Sequence, residues 1–274
     1  MFDILVDTFI DSIKLVPFLF VAFLLIELIE HKFSKHTLKF ITRAGNFGAI
    51  IGAFLGIVPQ CGFSVMATNL YVTRIISLGA LISVYLSCSD EMIPVMLSGG
   101  ASMGIVFKIL IIKLVVGMVS GVCIDLLFRK KFVSNYEICA DEECHCEDSI
   151  IKSSFKHTFN ILVFIFIVTF IISLVIDWIG DDAIKSFLMG NGLLSIMLSS
   201  LIGLVPNCAA SVIISEMYLK GMIPFYCTIA GLLSNSGVGM LVLFRENKNI
   251  KDNCMVLFLV YFISIIVGVI MYVL

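Results

Sequence analysis

Apolar residues are grouped along the chain in long runs that short polar stretches separate. Each run is about twenty residues long, which is the length an α-helix needs to cross the hydrocarbon core of a bilayer. Uninterrupted runs of this kind cover residues 10–29, 75–97, 105–128, 157–178, 222–244 and 254–274. The pattern therefore predicts an all-α integral membrane protein.

Two further apolar segments, residues 45–70 and 190–218, are interrupted near their middle. The first contains Pro59 followed by Gln60 and Cys61, and the second contains Pro206 followed by an Asn and a Cys. Proline removes a backbone donor and clashes with the preceding helical turn. We therefore predict discontinuous helices at Pro59 and Pro206. Counting each segment as two helices gives about 5+5 helices.

These interruptions belong to a duplication of the chain. Ile-Val-Pro-Gln-Cys at 57–61 returns as Leu-Val-Pro-Asn-Cys at 204–208, and Leu-Ser-Cys-Ser at 86–89 returns as Leu-Ser-Asn-Ser at 233–236. The offset is the same for both pairs, since 204 − 57 = 147 and 233 − 86 = 147. A duplicated membrane unit with breaks at matching depths is typical of transporters. The expected parts are a first membrane repeat (1–128), a linker (129–150) and a second membrane repeat (151–274).

Composition and charge support this interpretation and predict an orientation. The chain is 60% apolar, 14% charged and carries a net charge of −2, with no extended basic face for a nucleic acid. Basic residues collect in 31–43, 129–156 and 245–251, which the positive-inside rule places in the cytoplasm. Each repeat then crosses the membrane an odd number of times, so the second is inserted upside down. We expect an inverted-topology repeat with both termini outside.

Polar side chains beside the breaks are the first candidates for a substrate site. A broken helix exposes unpaired backbone groups, which are tolerated at membrane depth only around a cavity or an ion site. Oxygen donors with a few sulfurs suit a transition-metal cation. Small polar residues can also serve only as contacts between helices. The candidates are Gln60, Cys61, Ser87, Cys88, Ser89, Asp90, Asn207, Cys208, Ser234 and Asn235.

Charged residues within or beside the apolar runs are candidates for coupling or entry. An ionised carboxylate in a bilayer usually has a partner or a function, and Lys113 in the next run is a possible counter-ion of Asp90 beside Glu91. The second group consists of Glu27, Glu30 and His31, which share one helix face and could form an entry site. Interfacial charges that end a helix are the plainer interpretation of that group.

The linker carries a dense group of metal-binding side chains. Three thiols, one imidazole and six carboxylates fall within residues 137–148, enough for a tetrahedral site. We expect zinc or another soft ion to bind there in preference to manganese, although an acidic loop need bind nothing. The thiol and imidazole ligands would be Cys139, Cys144, His145 and Cys146. No other cofactor is expected.

Some common motifs do not occur in the sequence, which limits the function classes. There is no phosphate-binding Gly-x-x-x-x-Gly-Lys-Ser/Thr loop, so transport would run on an ion gradient or downhill. There is also no Cys-x-x-Cys pair for a thiol oxidoreductase and no His-Glu-x-x-His metalloprotease motif. We therefore do not expect an enzyme. A passive metal channel stays open as an alternative.

The two Pro-Gln/Asn-Cys breaks, the Ser-Cys-Ser-Asp segment at 87–90 and the Cys-His-Cys-Glu linker running into Lys-x-x-x-Lys-His at 152–157 resemble a known family. They are similar to the ten-helix heavy-metal exporters, which are related by name to the ArsP arsenic permeases and are also labelled manganese transporters. The resemblance covers essentially the whole chain. It implies a multi-pass exporter of a metal or metalloid ion in a bacterial inner membrane.

Two cargoes follow from these observations. Oxygen-rich ligands with one or two sulfurs would admit Mn²⁺ and disfavour Mg²⁺ and Ca²⁺, so our first expectation is a secondary exporter of a divalent transition metal, with manganese as the first candidate. The alternative is efflux of arsenite or an organoarsenical, which needs about three converging thiols. Cys61, Cys88 and Cys208 could supply them.

Overall fold

The computed structural model describes residues 45–59, 62–89, 92–128 and 192–274, together with single positions within 10–20 and 159–174. Every regular element in this part of the chain is an α-helix. The helices are α1 (Gly45–Gly56), α2 (Gly62–Val72), α3 (Leu78–Ser87), α4 (Met92–Ser98), α5 (Met103–Phe128), α6 (Leu193–Gly203), α7 (Cys208–Leu219), α8 (Phe225–Ser234), α9 (Gly239–Glu246) and α10 (Ile250–Val273).

The duplication predicted from the sequence is present in the helices. Adding 147 to the bounds of α1–α5 gives the bounds of α6–α10 to within two residues. The turns also match, because α2 and α7 are each followed by a residue with positive φ. Arg74 has a φ of 60° and its equivalent Gly221 has a φ of 68°, and their amides donate to the carbonyls of Tyr71 and Tyr218, both at 2.9 Å.

The helix breaks at Pro59 and Pro206 are confirmed. The α1 helix ends at Gly56 and α2 begins at Gly62, while α6 ends at Gly203 and α7 begins at Cys208. Each break joins two short helices of 11 or 12 residues.

Each repeat contains a second break that the sequence analysis did not predict. The runs 75–97 and 222–244 were expected to be continuous, and this expectation is wrong because α3 ends at Ser87 and α8 ends at Ser234. Cys88 and Asn235 leave the helix with ψ angles of 121° and 104°. The Asn235 side chain accepts a hydrogen bond from the Gly237 amide at 2.9 Å, and such local bonds compete with the helical ladder.

Four segments of the described part are long and apolar enough to cross a membrane, which confirms a multi-pass membrane protein. They are Leu78–Ser98, Met103–Phe128, Phe225–Glu246 and Ile250–Val273. The expected runs at 10–29 and 157–178 and the linker at 129–150 lie largely or wholly outside the described residues.

The broken spans form the centre of the protein and the continuous helices lie outside them. The apolar window of α3–α4 is 75% buried and that of α8–α9 is 94% buried, against 28% for α5 and 22% for α10. The outer faces of α5 and α10 are apolar, as shown by the exposed Phe107 and Phe262. In a membrane these faces contact lipid, and the polar breaks are kept away from it.

Equivalent pairs of helices pack against each other across the interface between the repeats. The α2 helix packs against α9, and its equivalent α7 packs against α4, which is the equivalent of α9. Reciprocal packing of this kind is what a two-fold relation between two repeats would produce.

Candidate functional site

Within each repeat the two breaks lie against each other. The Ser89 amide donates to the Gly56 carbonyl at 3.2 Å, so the end of α1 contacts the α3–α4 break. A Cβ at Gly56 would collide with the Ser87 hydroxyl, and a Cβ at the equivalent Gly203 would collide with the Ser234 hydroxyl. Glycine at these two positions therefore permits the close approach of the breaks.

The breaks also meet across the repeat boundary. The Thr68 hydroxyl on α2 lies 2.6 Å from the Tyr85 hydroxyl and 3.2 Å from the Gly239 carbonyl, at the start of α9. A Cβ at Gly239 would lie only 2.9 Å from the Ser64 Cβ. The first turns of α2 thus contact the segment directly after the α8–α9 break. The first turns of α2 and the α8–α9 break therefore belong to one buried region, whereas Val58 and Pro59 in the break before α2 are exposed.

Lys113 is a buried cation that joins the two repeats. Its side chain is 1% exposed, and its ammonium donates a hydrogen bond to the carbonyl of Leu232. Leu232 lies in the last turn of α8, just before the Ser234–Asn235 break. A cation is favoured at a helix C-terminus, where carbonyl groups lack helical partners. The expected counter-ion Asp90 lies outside the described residues.

The predicted serines are buried at the breaks and donate to the backbone. Ser87 donates to the Ser83 carbonyl at 2.7 Å, and Ser234 donates to the Gly231 carbonyl at 2.9 Å. The Ser89 hydroxyl lies 3.2 Å from the Ser87 carbonyl. A hydroxyl that donates its proton keeps oxygen lone pairs. These serines can therefore both hold the helix ends and offer oxygen atoms to a cation.

The two predicted asparagines shape the breaks of the second repeat. Asn207 caps α7, since its side-chain oxygen accepts from the Ala209 amide at 3.3 Å. Asn235 closes the turn to Gly237, through its bond to the Gly237 amide. Both side chains are buried, with 7% and 2% exposure. The equivalent side chain of the first break, Gln60, lies outside the described residues.

The cysteines and charged candidates are only partly described. Cys88 is 3% exposed and places its thiol at the α3–α4 break, and Cys208 is the first residue of α7. Among the described residues, no three His, Cys, Asp or Glu side chains come close enough to hold a metal ion. Several candidates lie outside the described part of the chain: Glu27, Glu30, His31, Cys61, Glu91, Cys139, Cys144, His145 and Cys146.

Buried hydroxyls on α2 and α7 were not predicted. Ser64 and Thr68 lie one turn apart on α2, and Ser211 and Ser215 occupy the equivalent positions on α7, all four with at most 1% exposure. Within the described part of the chain, the Ser215 hydroxyl has no hydrogen-bond partner, which is uncommon for a buried polar atom. The repeat offset, applied to hydroxyl residues as well as to the breaks, would have identified these positions.

A cavity lies beside the break at Pro206. Its volume is about 410 Å³ and its walls are mainly apolar, with Arg245 at one side. The other lining residues are Leu204, Pro206, Met240, Leu241, Phe244 and Leu257. This composition gives the cavity few ligands for a metal ion, so the buried polar region between the breaks is the better candidate site.

Comparison with known proteins agrees with this architecture. One family model, described as "Putative, 10TM heavy-metal exporter", matches the chain over residues 1–178 and again over 134–274. No curated protein and no solved structure matches the chain. The two family matches together cover the chain from end to end, and the chain therefore belongs to the 10TM heavy-metal exporter family.

Proposed function

We propose that this protein is a secondary exporter of a divalent transition metal ion, with Mn²⁺ as the first candidate. The observation that carries the proposal is the meeting of broken helices from both repeats in one buried polar region, through Thr68, Gly239 and Lys113. Helix breaks at membrane depth are tolerated where they surround a cavity or an ion site. Membership of a heavy-metal exporter family supports a metal as the cargo.

In this proposal the repeats are inserted with opposite orientations. The reciprocal packing of α2 on α9 and of α7 on α4 supports a two-fold relation, and the basic residues near Arg245 and Lys251 favour a cytoplasmic location for that end. The hairpin at Pro59 would then enter from the cytoplasm and that at Pro206 from outside, with both termini outside in a bacterial inner membrane.

Side chains at the breaks would replace the water molecules that hydrate the metal ion. Serine hydroxyls, the amides of Gln60 and Asn207, the carboxylate of Asp90 and the thiols of Cys61 and Cys208 provide hard oxygen with a little sulfur. Such a set admits Mn²⁺ more readily than Mg²⁺. Lys113 would act as a resident cation that leaves the end of α8 when the metal arrives, so that metal and ammonium never share the site.

Trivalent arsenic is the second candidate cargo, and the buried Cys88 beside the break is the observation that favours it. Arsenite binding would need Cys88 together with Cys61 and Cys208. Manganese export would depend mainly on oxygen ligands, so the two candidates differ in their need for sulfur.

The test is metal retention in a sensitive bacterial host exposed to Mn, Zn, Co, Cd, arsenite or antimonite. The Cys61→Ser/Cys208→Ser variant should abolish arsenite export but only weaken manganese export. Cys123→Ser/Cys254→Ser is the matched control, because both cysteines are exposed on the outer helices. Equal retention of every ion with and without the protein would refute the exporter. Trans-stimulation in proteoliposomes separates a carrier from a channel, which shows none.

We also propose that the linker captures zinc or another soft ion through Cys139, Cys144, His145 and Cys146. Purified protein should then hold one zinc ion that a variant with all three cysteines changed to serine does not hold. Equal zinc content in the two proteins would contradict this proposal.

A further inference from the structure

One end of the protein carries a polar junction between the repeats. The Tyr71 hydroxyl of α2 lies 3.0 Å and 2.9 Å from the two carboxylate oxygens of Asp252, in the first turn of α10. The Asn247 amide donates to the same carboxylate at 2.9 Å. Hydrogen bonds to a charged group are stronger than neutral ones. The carboxylate of the second repeat therefore holds the end of α2.

Arg74 adds to this junction at a cost to the backbone. Its guanidinium lies 3.9 Å from the Asp252 carboxylate and 5.5 Å from the centre of the Tyr71 ring. Its φ of 60° is unfavourable for a residue with a Cβ, and the second repeat places Gly221 in the same turn. Strain that is retained at one of two equivalent positions points to a role for the side chain. We call Tyr71, Arg74 and Asp252 the latch.

The position equivalent to Asp252 at the opposite end is apolar. Ile105 stands where Asp252 stands in the second repeat, 252 − 147 = 105. Tyr218, the equivalent of Tyr71, packs with its ring centre 5.9 Å from that of Phe225. A Cβ at Gly99 would collide with Leu219 there, so the contact is close. The described residues at this end thus contain no equivalent of the Tyr71–Asp252 bond, and the contact across the repeats there includes the Lys108 ammonium, 4.8 Å from the Phe225 ring centre.

Two buried amides lie beside the latch without a complete set of partners among the described residues. Asn69, on the same helix as Tyr71, is 3% exposed and its side-chain nitrogen has no hydrogen-bond partner there. Asn253, next to Asp252, is fully buried and its side-chain oxygen has none either. A buried unpaired polar group is costly. Both groups would gain partners if water or a hydrated ion entered behind the latch.

We infer that the latch closes the basic, cytoplasmic end of the transport pathway and must open before the metal ion can enter. This inference rests on the proposed exporter function, because only in an exporter would opening the latch admit a metal ion. In the structure the bonds between Tyr71 and Asp252 are formed, which corresponds to the closed state of the latch. Breaking them would let the hairpin that contains α2 move away from α10 and expose Asn69.

The test measures access to position 69 from the cytoplasmic side. Asn69→Cys is introduced as a reporter, and inside-out vesicles are treated with a membrane-impermeant maleimide. Labelling of the parent protein, which keeps its native cysteines, is subtracted. Tyr71→Phe removes only the hydroxyl that joins the repeats. It should raise the labelling rate by roughly tenfold or more, as expected for losing a hydrogen bond to a charged group.

Tyr218→Phe is the matched control, because it makes the same change at the equivalent position of the opposite end, where Ile105 replaces Asp252. It should leave the labelling rate of the Asn69→Cys reporter unchanged. An unchanged rate in Tyr71→Phe would overturn the latch, and so would an equal rise in both variants, since that indicates general loosening. Size-exclusion profiles matching the parent exclude misfolding as the cause.

The labelling experiment needs no metal, so it can be separated from the exporter proposal. A response of the reporter to Tyr71→Phe, together with no metal export by the parent protein, would leave the latch standing and remove the exporter. Normal export with no response of the reporter would remove the latch alone.

Discussion

At the scale of single residues, Lys113 is difficult to explain by packing. A lysine side chain that is 1% exposed among apolar helices loses its hydration, and its ammonium takes polar partners within the protein instead, the Leu232 carbonyl among them. A methionine of similar length would fill the same space without this cost. The equivalent position of the second repeat is Val260, also fully buried. The fold therefore does not require a charge here, which favours a role in transport.

Replacing Lys113 should separate stability from function. We expect Lys113→Met to fold with a thermal unfolding midpoint no higher than that of the parent, because methionine fills the buried space but leaves the former partners of the ammonium unpaired. The same variant should lose metal export in the retention assay. The control is Lys108→Met. The Lys108 ammonium lies 4.8 Å from the Phe225 ring centre and is not at a break. Normal export by Lys113→Met would contradict the role given to Lys113.

The residues of the latch show what a sequence can and cannot predict at this scale. Asp252 lies among polar residues after α9 and could be an ordinary charge at the start of a helix. Nothing in its local pattern indicates that it accepts hydrogen bonds from Tyr71, 181 positions earlier in the chain. The carbonyl partner of Lys113 was equally unpredictable, because backbone groups are the same at every position.

At the scale of elements, the sequence predicted the breaks that contain proline and missed those that do not. Pro59 and Pro206 each remove a helical hydrogen bond, which is a strong local signal. The breaks after Ser87 and Ser234 depend on small polar residues that membrane helices also contain when unbroken. The helical hydrogen bonds lost at these breaks are replaced by contacts between the breaks. One such contact is the hydrogen bond from the Ser89 amide to the Gly56 carbonyl. Such compensation is tertiary and leaves only a weak local signal.

The packing of α5 depends on small residues, of which Gly121 makes the closest contacts on that helix. A Cβ at Gly121 would lie 2.7 Å from the Gly79 carbonyl oxygen and 2.9 Å from the Ala49 Cβ, so α5 cannot approach α1 and α3 as closely with a larger residue. Gly121→Ala should lower the free energy of unfolding by about 1–3 kcal/mol, as overpacking does. Gly104→Ala on the same helix is the control, since a Cβ there meets nothing within 4 Å.

Denaturant titration in detergent would measure the two glycine variants. The control should be neutral or slightly stabilised, because alanine favours the helix by about 1 kcal/mol over glycine. Equal effects of the two substitutions would show that close packing at Gly121 does not support the fold.

At the scale of the whole molecule, an approximate symmetry is combined with different ends. The repeats share helix bounds, turns and reciprocal contacts, so a motion that separates α2 from α9 has an equivalent that separates α7 from α4. If only one end opens at a time, the two motions exclude each other. The latch at one end, and Ile105 in place of its carboxylate at the other, then decide which state is populated without cargo.

This coupling between the ends can be tested by building a second latch. Ile105→Asp together with Gly221→Arg places the charges of the latch around Tyr218, the equivalent of Tyr71. In a carrier that opens one end at a time, holding the outer end shut favours opening of the cytoplasmic end. We therefore expect faster labelling of the Asn69→Cys reporter and slower metal export. The gain is about tenfold if the new bonds are as strong as those of a charged pair.

The control adds Tyr218→Phe to the same two substitutions, which removes the hydroxyl that would join the repeats and should restore the parent labelling rate. In a channel the two ends open independently, so the new junction would slow the flux and leave the labelling of the Asn69→Cys reporter unchanged. The combination of slower export with faster labelling is specific to alternating access, because no single obstruction of a pore makes its far end more accessible.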